Sequence, residues 1–274
     1  MSQKISFSQS MTLGFNLFGK TLGWQILFMI LFFIILIIAS LISGLVSFGM
    51  PFVSQVILGI VLAPLVFGFA LLYNDKHTTG QVDFGVSFSG FKKTGPLFLI
   101  YLIQQILSGV VFLGLGYLLL SESTMTTFSE FMDQANDPTF FQNSELMSAY
   151  SEELINQLQN DVTGLGILGI LSIVVSILFM FPSYYVVFKN ESVGGALSRG
   201  VKLGLNNLPI IFITLLVVMI IGIVVMLIPI LNILFAILMF VPFIMSFVYA
   251  MFRSAEPNDN DAPTEGMEEI LDMD

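Results

Sequence analysis

The chain has 274 residues, of which 56% are hydrophobic and only 10% are charged, and its mean hydropathy is +0.93. Soluble domains have roughly 25% charged residues, so this composition excludes a soluble globular protein and predicts a polytopic membrane protein. The net charge is −10, and the nine basic residues are too few and too scattered to bind nucleic acid. The chain has no cysteine, which excludes disulfides and thiol chemistry.

Four long stretches without charged residues contain the predicted membrane spans. The stretches 21–74 and 203–252 are long enough for two helices each, because one span needs about 20 apolar residues. The stretches 94–121 and 162–188 hold one span each. Continuous apolar runs favour helices over a barrel, whose strands alternate in polarity. The sequence therefore predicts six transmembrane helices, at roughly 22–45, 51–73, 96–120, 163–188, 207–228 and 230–252.

An amphipathic segment precedes each pair of spans, and we call these three segments the feet. In residues 5–20, phenylalanine and methionine recur at spacings of three and four, which predicts a helix lying in the membrane interface. Aligning the Lys-Thr pairs that end the first two feet places Phe15 onto Phe88. A third, weaker foot covers 193–202. The predicted interfacial residues of the feet are Phe15, Lys20, Phe88, Lys93, Arg199 and Lys202.

Each even-numbered span contains a proline followed by aromatic residues, at Pro64, Pro182 and Pro242. Proline removes a helical hydrogen bond, so we expect a kink at each position. Chance repetition of prolines in apolar runs is the alternative. Foot, span and proline-bearing span together predict an all-α membrane bundle built as three parallel repeats of an amphipathic helix plus a helical hairpin. The predicted repeats cover about 5–73, 78–188 and 191–252.

An acidic loop at 121–162 interrupts the repeats. It contains two amphipathic helical patterns, the second beginning at Asn143 or Ser144 as N-cap, with a turn predicted at Asp137-Pro138. The two helices either extend spans three and four beyond the membrane or fold over the bundle as a lid, and we expect extension.

The basic residues predict the orientation of the chain. A cytoplasmic N-terminus assigns all nine of them to one side, whereas the external loop then carries eight acidic residues. An odd number of spans would break this sorting. We therefore expect a six-span domain at 1–253 in a bacterial inner membrane with both termini in the cytoplasm. An acidic, disordered cytoplasmic tail is expected at 254–274.

No charged residue falls inside a predicted span, which argues against proton relays and ion-coupled transport. The polar candidates within the membrane are Gln104 and Gln105 in span three, Gln55 in span two and Gln25 at the start of span one. For the pair Gln104 and Gln105 an interhelical hydrogen bond is the expected role and a substrate site the alternative. The single histidine, His77, lies in a loop, so multi-histidine metal sites and a Ser/His/Asp triad are not predicted. A phosphate-binding loop motif is absent too. We predict no catalytic residue, no cofactor and no bound metal.

The feet carry a resemblance to a known family. The segments Phe7-Ser-Gln-Ser-Met-Thr-Leu-Gly-Phe15 and Glu191-Ser-Val-Gly-Gly-Ala-Leu197, in the order foot, span and proline-bearing span, resemble the six-span membrane domain attached to some bacterial glycerophosphodiester phosphodiesterases. Related uncharacterised bacterial membrane proteins share this layout. The resemblance covers most of 5–252 and implies no catalytic residues here, because the hydrolase chemistry of those enzymes lies in a separate soluble domain.

These patterns predict a non-enzymatic scaffold or accessory subunit of a membrane complex, in contact with the lipid bilayer and with partner membrane proteins. The alternative is a permease or channel for an uncharged or apolar substrate, with the proline-bent spans and Gln104 or Gln105 lining its path. A third and weaker reading is an enzyme that acts on lipids.

Overall fold

The computed structural model describes residues 4–46, 51–135, 143–229 and 231–257, and these ranges contain helices and no strand. A 3₁₀ helix, Phe84–Lys93, precedes α3, and a π-helical segment, Phe235–Met239, joins α10 to α11. The α-helices are α1 Phe7–Val46, α2 Pro51–Thr79, α3 Thr94–Leu119, α4 Glu122–Ala135, α5 Ser144–Asn160, α6 Val162–Leu178, α7 Pro182–Phe188, α8 Val193–Asn206, α9 Leu208–Met226, α10 Leu231–Leu234 and α11 Phe240–Ala255.

Six helical stretches in the described residues are long and apolar enough to cross a membrane. Each overlaps one of the six predicted spans, which confirms the all-α, multi-pass character expected from the gaps between charged residues, although the first and third stretches begin within the predicted feet. The stretches are Phe7–Val46, Val53–Thr79, Phe84–Leu119, Val162–Phe188, Leu208–Met226 and Asn232–Ala255.

The chain forms two compact units. Unit 1 contains the described residues up to Tyr101 and from Ile177 onward, and unit 2 contains Leu102–Ser176. The boundaries fall within α3 and α6, so each of these helices contributes residues to both units. The three feet belong to unit 1, and the two helices of the acidic loop belong to unit 2.

The first foot is not a separate helix, which corrects the sequence prediction. It continues into the first span as α1, a single helix of 40 residues. Its buried residues, from Ser10 through Gly14 and Leu17 to Phe28, recur at spacings of three and four along both parts. This protein-packing face is offset by one residue from the phenylalanine and methionine stripe of the foot, in which Phe7 and Phe15 are exposed. At 1.5 Å per residue α1 is about 60 Å long, roughly twice the hydrocarbon core of a bilayer.

The three prolines occupy different positions in their helices. Pro64 lies inside the continuous helix α2. Pro182 instead begins α7, three residues after α6 has ended, and Pro242 is the third residue of α11, directly after the π-helical segment. Proline lacks a backbone N–H, so it fits at the start of a helix, where that N–H would have no partner in the helix. Pro182 and Pro242 lie at or near such starts.

In unit 1 each foot places a glycine against a proline-bearing helix. A Cβ atom added at Gly90 would lie 2.9 Å from the carbonyl oxygen of Pro64, and one added at Gly200 would lie 2.5 Å from the backbone nitrogen of Pro182. Only glycine permits approaches this close to the backbone. The first foot instead places Gly14 against the side-chain ring of Phe247 on α11. The three pairs are Gly90 with Pro64, Gly200 with Pro182 and Gly14 with Phe247.

The first helix of the acidic loop folds back along α3. The ring centroids of Phe112 on α3 and Phe128 on α4 are 6.0 Å apart. The expectation that α4 extends span three is therefore wrong. A contact between residues distant in sequence holds the start of α4. The carboxylate of Asp161, which follows α5, accepts hydrogen bonds from the backbone N–H of Ser121 (2.9 Å) and from its hydroxyl (2.7 Å).

The second loop helix begins where the sequence predicted. Asn143 is the N-cap of α5, and its side-chain oxygen accepts a hydrogen bond of 3.1 Å from the backbone N–H of Leu146. No residue of α5 is fully buried. The predicted turn at Asp137-Pro138 lies outside the described residues, as does the predicted tail from 258 onward.

Candidate functional site

The three proline-bearing helices of unit 1 meet through buried aromatic rings. Phe67 of α2 lies 5.0 Å, centroid to centroid, from Tyr184 of α7, which in turn lies 5.0 Å from Phe252 of α11. Tyr73 of α2 and Tyr249 of α11 are 6.3 Å apart. Each aromatic pair contributes about 0.5–1.5 kcal/mol beyond the area that it buries. We call this set of rings the aromatic junction.

Polar side chains follow the aromatic junction toward the ends of α2 and α11. Arg253 is 4% exposed, and its Nε donates a hydrogen bond of 2.9 Å to the hydroxyl oxygen of Tyr249. Its Nη2 donates to the side-chain oxygen of Asn74. The guanidinium also lies 5.3 Å from the ring centroid of Phe188. His77 completes the group, with Nδ1 3.1 Å from the Tyr249 oxygen. We call these five residues the Arg253 cluster.

The Tyr249 hydroxyl is the centre of the cluster. It donates a hydrogen bond of 3.2 Å to the side-chain oxygen of Asn74 and accepts one from Nε of Arg253. Nδ1 of His77 lies within hydrogen-bond distance of the same oxygen. Asn74, His77 and Arg253 are therefore linked through a single tyrosine oxygen.

Two buried groups at this position have no hydrogen-bond partner among the described residues. They are Nη1 of Arg253 and the hydroxyl of Tyr184. No carboxylate in the described part of the chain pairs with Arg253, because the ion pairs there involve Lys189 and Arg199. Burial of an ion without a counter-ion costs on the order of several kcal/mol, and a cation–π contact returns about 0.5–2 kcal/mol. The Arg253 cluster therefore carries positive charge that no carboxylate among the described residues neutralises.

A second polar group joins the end of α11 to α7 and α8. The carboxylate of Glu256 accepts hydrogen bonds from the hydroxyl of Tyr185 (2.8 Å) and from Nη2 of Arg199 (3.2 Å). Its other oxygen is 3.9 Å from Nζ of Lys189. Partial burial lowers the pKa of Arg199, but the carboxylates of Glu191 and Glu256 outweigh it and raise the pKa above its ordinary value. Unlike Arg253, Arg199 therefore forms ion pairs with carboxylates.

The N-terminal residues attach to this same end of unit 1. The backbone N–H of Ile5 donates a hydrogen bond of 2.9 Å to the side chain of Asn207, between α8 and α9. The N–H of Ser6 donates to the hydroxyl of Ser254, at 3.3 Å. The start of the described chain, the end of α2 and the end of α11 are therefore gathered at one end of unit 1.

Of the four predicted intramembrane glutamines, one is deeply buried. Gln55 in unit 1 and Gln105 in unit 2 are exposed, and Gln104 in unit 2 is half-buried. Gln25 of α1 is fully buried, and its two amide atoms make no hydrogen bond with the described residues. It lies on the buried face of α1, one turn after Thr21.

Some of the residues predicted for the feet contact other parts of the protein, and the others are exposed. Phe15 is 43% exposed but lies 4.9 Å from the ring of Phe247, and Phe88 lies 5.8 Å from Phe28. Nζ of Lys93 donates a hydrogen bond to the side chain of Asn190, and Arg199 is ion-paired as described above. The other two predicted foot cations, Lys20 and Lys202, are exposed.

Within the described ranges, no group of three or more His, Cys, Asp or Glu side chains could hold a metal ion. Comparison of the chain with protein-family models, with characterised proteins and with solved structures gave no match.

Proposed function

We propose that the chain is a non-enzymatic, six-span protein of a bacterial cytoplasmic membrane that serves as a scaffold or accessory subunit of a membrane complex. The observation that carries this proposal is the exposed amide of Gln105 on α3. Its neighbours Ile103, Ile106 and Leu107 are exposed too, at 37%, 59% and 38%. The stretch Phe84–Leu119 has only 11% of its most apolar window buried, the smallest share of the six stretches.

The depth of Gln105 makes this exposure unfavourable in lipid alone. It lies eleven residues after Thr94, the first residue of α3, which is about 16 Å along the helix axis at 1.5 Å per residue. That distance is close to half of a hydrocarbon core of about 30 Å, where no water can bond the amide. An unpaired amide in an apolar medium costs about 2–7 kcal/mol. A helix from another protein that hydrogen-bonds Gln105 would remove this cost.

Small residues on α3 support a helix partner. A Cβ atom added at Gly109 or Gly114 would have no protein atom within 4 Å. Such open positions allow a second helix backbone to approach closely, which is the usual contact between membrane helices. The half-buried Gln104 supplies a second amide beside the first.

The contacts of unit 1 support the proposed orientation and repeats. The first residues of the described chain meet the end of α11 beside Lys189, Arg199 and Arg253, in accord with a single basic, cytoplasmic side. The glycine contacts of the three feet with the three proline-bearing helices support three parallel repeats.

Gln105→Leu tests the proposal. We expect the variant to fold and insert normally, because leucine suits an exposed membrane position, but to lose its stoichiometric partner when purified from native membranes in mild detergent. Gln55→Leu is the matched control, since Gln55 is also exposed but lies only four residues, about 6 Å, from the start of α2, where it can reach the interface. A partner retained by Gln105→Leu would contradict the proposal. A transport defect without partner loss would favour the permease.

A further inference from the structure

We propose that the Arg253 cluster binds a phosphate group. The structural reason is the uncompensated charge of Arg253, which is 4% exposed and makes hydrogen bonds only to the neutral acceptors Tyr249 and Asn74. Its Nη1 is buried and makes no hydrogen bond with the described residues. Arginine presents its N–H groups as a planar fork that matches the oxygens of a phosphate.

A second buried donor belongs to a residue that contacts the same aromatic ring as Arg253. The hydroxyl of Tyr184 is buried without a partner among the described residues, and its ring lies 5.8 Å from that of Phe188. The guanidinium of Arg253 lies 5.3 Å from the same Phe188 ring. Each residue thus has a donor that an anionic oxygen could accept from, and no described carboxylate forms an ion pair with Arg253.

The position of the cluster suits a phosphate at the membrane surface. Arg253 is two residues from the end of α11, Phe188 is the last residue of α7, and His77 is two residues from the end of α2. Three spans thus end at this level, where the phosphates of lipid headgroups lie. Phe188 and His77 are half-buried, so a ligand can approach Arg253 from their side. A phospholipid and free phosphate share the chemistry that this site recognises.

This inference is independent of the proposed partner contact. The Arg253 cluster belongs to unit 1, whereas Gln105 belongs to unit 2. A phosphate site could exist in a protein without a partner, and a partner could bind α3 without any phosphate site. The two tests can therefore fail separately.

Thermal unfolding of the full chain in detergent tests the inference with three probes: phosphatidylglycerol, inorganic phosphate and a diacylglycerol, which has no phosphate. The variants are Arg253→Met and Tyr184→Phe, and the control is Lys202→Met, which removes an exposed cation of α8. Tyr184→Phe keeps the ring and removes only a hydroxyl without a described partner, so its packing should survive even if Arg253→Met does not fold.

We expect phosphatidylglycerol to raise the melting temperature of the wild type and of Lys202→Met, and diacylglycerol to have no effect. The half-saturating concentration should rise roughly tenfold or more in Tyr184→Phe, and the response should disappear in Arg253→Met. A response to phosphatidylglycerol alone assigns a lipid, and an equal response to inorganic phosphate assigns the free anion. Equal responses in all variants, or no response of the wild type to either phosphate probe, would overturn the inference.

Discussion

The contact between α1 and α11 can be tested with two glycines of the same helix. Gly14 faces the ring of Phe247, and an added Cβ atom would lie 2.5, 2.7 and 3.0 Å from three atoms of that ring. Phe247 is fully buried, and its ring is held edge-on by Phe15 and Phe243 at 4.9 and 5.1 Å. It therefore has no free space into which to move. Gly19, also in the interior of α1, has no protein atom within 4 Å of its Cβ position.

Alanine at either position gains the same helix propensity, up to about 1 kcal/mol. The difference between the two variants therefore isolates the steric term. Overpacking a tight site costs about 1–3 kcal/mol, so Gly14→Ala should be less stable than Gly19→Ala by about that amount. At roughly 2–4 °C per kcal/mol, a 2 kcal/mol difference lowers the melting temperature by about 4–8 °C.

The assay is thermal unfolding of both variants and the wild type in the same detergent. Gly19→Ala should melt at or slightly above the wild-type temperature, whereas Gly14→Ala should melt below it. Equal melting temperatures for the two variants, or a more stable Gly14→Ala, would refute the packing of the first foot against α11.

Two further predictions concern unit 2 and the orientation of the chain. Hydrogen bonds from Thr124 and Ser121 hold the pKa of Asp161 below its ordinary 3.8. The ionised carboxylate therefore stabilises α4 fully above about pH 4, and this stabilisation is lost as the pH falls through the lowered pKa. Asp161→Asn should remove this pH dependence and speed hydrogen exchange in α4 at pH 7; unchanged exchange would contradict the role of Asp161. Because the chain has no cysteine, Thr78→Cys and Gln159→Cys can report its orientation. An impermeant maleimide should label position 159 in intact cells and position 78 only in inverted vesicles, and the reverse pattern would contradict a cytoplasmic N-terminus.

Features local to one stretch of chain could be predicted from the sequence. The gaps between charged residues gave six spans, because burial of charge in a bilayer is costly and so charge marks the span ends. The cap at Asn143 was predictable for a similar reason, since its side chain satisfies a backbone N–H only three residues away. Both signals depend on residues close together in sequence.

Features that depend on a neighbour could not be predicted in this way. A stripe at helical spacing shows that α1 has one distinct face, but not whether lipid or protein covers it. Here Phe15 of that stripe is 43% exposed, while the neighbouring Gly14 packs against Phe247 of α11. Arg253 looked like a surface cation that marks the cytoplasmic side. Its burial depends on Asn74, which is 179 residues away in the chain. The reversal at α4 likewise depends on Asp161, 40 residues beyond Ser121.

Photo-cross-linking in native membranes tests the proposed function most directly. A photoreactive residue in place of Gln105 should form one discrete adduct with a second protein, because this exposed, mid-membrane amide requires a partner. The same residue in place of Gln55 should form no such adduct. Adducts at position 105 only with lipid, or only within the same chain, would contradict the assignment of the chain as a scaffold or accessory subunit.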